Sequence, residues 1–151
     1  MARYPANGLT LEQAEAITAA ARAKGRELKL QPLTVVVLDA GGQIKSVQRE
    51  DGSSLLRPEI ALGKAFGALS LGLGGRELAR RAQSMQGFMN ALSDIAGGRA
   101  VPVQGGVLAC DAGGTILGAV GISGDVSAQD EACAVAGIQA AGLKPDTGDP
   151  E

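Results

Sequence analysis

The chain of 151 residues has no histidine and no tryptophan, one tyrosine (Tyr4), two phenylalanines (Phe66 and Phe88) and two cysteines (Cys110 and Cys133). Without histidine it lacks the usual general base at neutral pH and the commonest metal ligand. Ser-His-Asp and Cys-His nucleophilic catalysis are therefore excluded. A conventional zinc site is disfavoured as well, because Cys110 and Cys133 do not have C-x-x-C spacing. So few aromatics make no base-stacking platform, and a formal net charge of −2 makes no electrostatic footprint for DNA or RNA. No apolar run reaches the roughly 20 residues of a membrane span. The opening "MARYPANGLTLEQ" has no apolar core of a signal peptide. These absences predict a cytoplasmic protein with neither nucleic acid nor membrane as partner, and two cysteines agree with a reducing compartment.

What is present is an ordinary globular composition, 45% hydrophobic and 20% charged. The length fits one domain over 1–151, with a core at about 9–142 and a loose polar tail at 144–151. The segment D-A-G-G-x-I occurs twice, in "VVVLDAGGQIKSV" from Val35 and in "VLACDAGGTILGAV" from Val107. In each case a β-branched or apolar run meets a glycine pair and a second apolar run follows, which predicts a β-hairpin. Asp39 and Asp111 read as turn-starting residues whose carboxylates bond nearby backbone N–H groups. "QIKSVQRE" alternates out of strict phase at Ile44 and Val47, which predicts a bulge.

Around the hairpins the period changes to helical. Thr10 and Gln13 have capping-box spacing at the head of a helix over Leu11 to Leu28. "RPEIALGKAFGALSLGLGG" has Pro58 in its first turn and only Lys64 charged between Ile60 and Leu73. Gly63 and Gly67, four apart, predict a tight helix crossing. "GRELARRAQSMQGFMNALSDIAGG" reads as one or two short helices interrupted near Gly87, with Arg76, Arg80 and Arg81 on a solvated face. "AVPVQGG" reads as a short strand. Ser127 reads as the cap of a last apolar helix with Asp130 in its first turn. The sum is an α+β protein with a mostly antiparallel sheet of about five strands, packed by helices on one or both faces.

In this order the pieces "LTLEQAEAI", "VVVLDAGGQI", the "REDG" turn at Arg49 to Gly52, "IALGKAFGA", "GGRAVPVQGGV", "GAVGISG" and "SAQDEACAVAGI" resemble the GlcG/HbpS family of haem-binding or haem-degrading-type proteins. The C-terminal domain of PduO-type corrinoid adenosyltransferases resembles the same group. The resemblance runs over roughly Leu9 to Gly142. It implies a profilin-like five-stranded sheet with helices, a homo-oligomer, and haem or a related tetrapyrrole as small-molecule ligand. Assembly is also expected from the oily helix at Ile60–Leu73 and the apolar last helix, since contiguous apolar patches mark interfaces.

The site is then read from the residues. Haem iron is held by His, Cys thiolate, Met or Tyr. Here that leaves Cys110, Cys133, Met85, Met89 and Tyr4, of which Cys110 is the candidate iron ligand. Lys64, a lone ammonium in an apolar helix, must reach solvent, find a partner or line a cavity. In a cavity it would bind a carboxylate of haem or of an organic acid, or act with Asp39 or Asp51 as acid and base. The structural alternative is an ion pair with Asp51, Glu59 or another subunit. Arg49, with Asp51 in the R-x-D-G turn, suits carboxylate recognition. Ser123 and Gly124 precede a helix N-terminus that favours anions, and Arg99 is a further anion candidate. Three readings follow, the first a haem-binding protein of GlcG/HbpS type and the second a small-molecule enzyme acting on a carboxylate-bearing substrate. A non-catalytic assembly protein is the third.

Overall fold

The structure, a computed structural model, describes residues 1–149. Its elements are α1 (Leu11–Glu27), β1 (Thr34–Asp39), β2 (Ile44–Arg49), α2 (Arg57–Leu71), α3 (Gly75–Ser84), α4 (Gln86–Ile95), β3 (Gly106–Cys110), β4 (Ile116–Ser123), α5 (Ser127–Ala140) and β5 (Lys144–Asp146). The two D-A-G-G segments are the turns of hairpins β1–β2 and β3–β4, which join through β1 and β4 into one sheet ordered β2-β1-β4-β3-β5. Each neighbouring pair is antiparallel. The expected bulge is present, because Val37 pairs with Ser46 and Leu38 with Ile44, so Lys45 is the extra residue. The second hairpin slips in the same place, where Leu117 has no partner between Gly118 and Ile116.

The β-branched run of β1 is buried on both faces, as its sequence predicts. Val35 and Val37 join Ile17, Ala21, Cys133 and Ile138 in a core beneath α1 and α5. Val36 and Leu38 join Ala61, Ala65, Leu78 and Met89 in a second core beneath α2, α3 and α4. The sheet is thus the middle of three layers. Thr10 caps α1 in a complete capping box with Gln13.

α2 is seated on bare backbone. A Cβ added to Gly121 would lie 1.9 Å from the Ala61 carbonyl oxygen, and one added to Gly106 would lie 2.2 Å from that of Lys64. Only residues without a side chain let a helix come so near a sheet.

Several expectations are corrected. "AVPVQGG" is not a strand. Residues 99–103 run along α2, where Val101 donates to the Gly63 carbonyl (3.0 Å) and fills the notch left by Gly63 and Gly67. The small-residue stripe therefore receives a connecting segment, not a second helix. The fifth strand comes from the presumed loose tail. Gly142, with positive φ, ends α5 and returns the chain so that Lys144–Asp146 pairs with the free edge of β3. The last residues of that tail, 150–151, lie outside the described residues. Ser127 does not cap α5. Val126 is the N-cap residue, and Asp130 reaches back to accept from the Asp125 N–H (3.0 Å). The break between α3 and α4 falls at Met85 instead of Gly87, in a backbone conformation outside the helical region. Finally, α2 and α5 bury their small residues within the chain, whereas Ile60, Leu62, Phe66, Leu69, Leu71 and Val135 are half-buried. Exposed apolar side chains include Met85, Phe88 and Ile95 around α4, Ile44 and Val47 on β2, Leu55 and Leu56 at the head of α2 and Val126 at the head of α5.

Gly121→Ala is expected to lower stability by about 3 kcal/mol, the range for overpacking a rigid contact. Gly87→Ala, with nothing within 4 Å of the added Cβ, is expected to raise it by about 0.5–1 kcal/mol. Urea unfolding of both variants checks this. Equal effects would remove the close seating of α2 as a constraint.

Candidate functional site

The register of the sheet sorts the polar residues into two groups. Both D-A-G-G turns lie at one end, where Asp39 pairs with Gly118 and Cys110 with Ile116. Thr34, Arg49, Gly106, Gly121 and Ser123 lie at the other. At the turn end, Asp39 Oδ1 accepts from the N–H groups of Gly41 (2.9 Å) and Gln43 (3.0 Å). Asp111 Oδ1 does the same for Gly113 (2.9 Å) and Thr115 (2.8 Å). Both carboxylates are used in closing their turns.

Lys64 belongs to the other end. Its side chain runs from α2 past Gly105, whose missing Cβ would stand 3.0 Å from Nζ. Nζ reaches Asp130 Oδ2 on α5 at 3.0 Å, with the two side chains 4% and 0% exposed. The pair links the helical layers on opposite faces of the sheet. Its partner is neither Asp51 nor Glu59, the expected candidates. Lys64 and Asp39 are not brought together: the length of β1 separates their ends, about 17 Å for a six-residue strand. Burial pushes the Asp130 carboxyl above its ordinary pKa, and the Lys64 ammonium opposes that rise.

A second buried acid stands beside the first. Glu131 Oε1 accepts from Arg76 Nε (2.8 Å) and Nη2 (2.6 Å), while Glu131 Oε2 is buried with no hydrogen-bond partner. Arg76 also bonds Asp149 through Nη1. These two carboxylates, Glu131 first, hold the guanidinium pKa above its ordinary value. Over this cluster opens a groove of about 430 Å³ lined by Arg76, Ala79, Arg80, Gln83, Val103, Gln104 and Ser127. Arg76, Arg80 and Gln83 share one face of α3 at helical spacing. Ser127 stands at the positive end of α5. Arg80 is itself paired with Glu77, so an anion in the groove would share arginine donors already engaged by Glu131, Asp149 and Glu77.

The remaining predicted residues are dispersed. Ser123 Oγ accepts from Arg57 Nη1 (3.0 Å), and Gly124 lies tight against the Pro32 carbonyl. Arg49 donates to the Ser53 carbonyl (2.7 Å) and shares a separate groove with Asp51. Arg99 stacks over the Phe66 ring, 4.3 Å from its centroid, and donates to the Ala96 carbonyl. Cys110 lies at the lip of a groove of about 360 Å³ with Lys144, Asp146 and Asp149. Burial, then Asp146, pushes its thiol pKa upward, and Lys144 opposes the rise. Burial pushes the Cys133 thiol up to about 11. Met89 is buried, whereas Met85 and Phe88 are 43% and 57% exposed. Among the described residues, no three His, Cys, Asp or Glu side chains form a metal-binding group. Among the same described residues, no helix is long and apolar enough to cross a membrane.

Sequence reasoning missed Glu131 and assigned Arg76 to solvent. Two clues were available: adjacent acids in an otherwise apolar helix, and a lone lysine in another that required a buried counter-charge.

Residues 9–139 match the family model described as "Haem degrading protein HbpS-like". A Citrobacter freundii protein, described as an uncharacterized 15.0 kDa protein of the dhaT-dhaS intergenic region, is 30% identical over 125 residues, 81% of this chain and 84% of that one. The crystal structure of a PduOC–haem complex superposes with a TM-score of 0.81 at 26% identity, covering 92% of this chain and 99% of the other. That of HbpS superposes at 0.76 and 28% identity, covering 92% and 96%.

Lys64→Met and Asp130→Leu should each destabilise by about 3–5 kcal/mol, because each strands a buried charge. The double variant should recover most of the loss, which a double-mutant cycle in urea measures. Additive losses would mean that the pair is not coupled. In the folded protein at pH 8, Cys133 should resist iodoacetamide and react only after unfolding, as mass spectrometry of the alkylated peptides would record.

Proposed function

Because the chain belongs to the HbpS-like family, described as haem-degrading, we propose that it is a small-molecule-binding protein whose ligand is haem or a related tetrapyrrole. The observation that carries this reading is the likeness to the PduOC–haem complex over 92% of the chain. Two features of the consecutive helices α3 and α4 support it. Met85, Phe88 and Ile95 give α4 an exposed apolar face for the ring. The Met85 thioether belongs to a ligand class that holds haem iron. Arg76, Arg80 and Gln83 on the preceding helix line the groove suited to the ring's carboxylates. Cys110 is 4% exposed against 43% for Met85, so iron would reach the Met85 thioether more readily. Haem would supply the iron when bound; Met85 would hold the iron, Arg76 and Arg80 would face the carboxylates, and Phe88 and Ile95 would give the ring an apolar surface. Assembly into a homo-oligomer in the cytoplasm is part of the same proposal. The exposed apolar residues of α4 and β2 support it, since a second copy would shield both the face and the ligand.

Titration of the purified protein with haemin, followed at the Soret band, tests the reading. A saturable shift is expected, weakened about tenfold or more and moved in wavelength by Met85→Ala, and left in place by Cys110→Ala. Absence of any saturable change would overturn haem as the ligand.

A further inference from the structure

Three guanidinium groups converge where the last turns of α1 face the end of β2. Arg22, Arg26 and Arg49, with Pro32, Glu50 and Asp51, line a groove of about 310 Å³. None of these residues belongs to the groove over Arg76. Arg22 and Arg26 are one helical turn apart, so their charges would repel if nothing braced them.

The brace is Glu50, whose side chain is only 11% exposed. Its Oε2 accepts from the Leu33 N–H (2.7 Å) and from Arg26 Nη2 (3.0 Å), and its Oε1 faces Arg22 Nε at 3.6 Å. Arg26 is held further by the Leu30 and Gln31 carbonyls (3.2 and 3.1 Å), and Arg22 by Gln48 Oε1 (3.0 Å). Arg49 Nη1 donates to the Ser53 carbonyl at 2.7 Å. The heads are therefore positioned before any ligand arrives, which lowers the ordering cost of binding.

Their donors are far from used up. Each guanidinium carries five N–H groups in a fixed fork. Among the described residues Arg49 has no ion-pair partner, and neither has Asp51 on the same groove. Three cations face two carboxylates, one of which is committed to the brace. The free fork of an arginine matches two oxygens of a carboxylate or phosphate.

We propose that this α1–β2 groove binds a small oxyanion, a phosphate or a carboxylate, gripped by Arg49 and assisted by Arg22 and Arg26. Asp51 is the opposing charge that limits the affinity and selects against weakly charged ligands.

Isothermal titration of the full chain with inorganic phosphate, and separately with citrate, at constant ionic strength tests this. Saturable one-site binding is expected for at least one of them, and the tighter of the two assigns the phosphate or the carboxylate class. Arg49→Gln should weaken binding about tenfold or more, the loss of a charge-assisted fork. Asp51→Asn should tighten it about threefold by removing a like charge. Circular dichroism melts establish that the variants fold; should Arg49→Gln fail to, Arg22→Gln must reproduce the loss. No saturable heat with either anion, or wild-type affinity in the folded arginine variant, overturns the site.

Discussion

The structure depends on how closely α2 lies on the sheet. Gly106 and Gly121 leave the end of β3 and β4 opposite the turns without side chains, and the helix backbone occupies the space. That proximity brings the base of Lys64 down to the sheet, so its four-carbon stem can pass Gly105 and reach the other layer. A helix at the ordinary distance would leave the ammonium without its partner, at a cost of several kcal/mol. The two layers are therefore held in register by one buried ion pair as well as by the cores on either face.

The head of α5 gathers the consequences. Asp130 takes Lys64 from α2, Glu131 takes Arg76 from α3, and Asp125 ties the preceding turn to Gln31. Acids at a helix N-terminus meet a favourable dipole. Here they also anchor the other helical layer, which explains how residues so near a surface groove stay buried. Arg76 then connects this buried cluster to the chain's last turns through Asp149, with Thr147 accepting from its backbone N–H. The groove above it inherits a rigid floor, a useful property for any ligand site.

The chain belongs to the HbpS-like family and has no histidine, so under the proposed reading other groups would hold the iron. The arrangement separates the requirements. Apolar surface is concentrated on α4, cationic donors on α3, and sulfur at the junction between them in Met85. The cysteines, candidates by chemistry alone, are withdrawn by burial. The arginine groove beyond α1 is a separate concentration of charge on the far hairpin's side, built around a different carboxylate brace.

Local chemistry made much of this legible in the chain. Thr10 and Gln13, Asp39 with its glycines, the echo at Asp111 and the β-branched run at Val35 each act over a few residues, so sequence alone determined the cap, both hairpins and the buried central strand. Lys64 announced that it needed a counter-charge. Which acid would answer was decided only by the tertiary structure, because Asp130 is distant in the chain and meets Lys64 through packing of two layers across a sheet. The same holds for the strand at Lys144–Asp146 and for the extended path at Val101. A strand forms where an open edge is within reach, and a polar tripeptide carries no record of that edge.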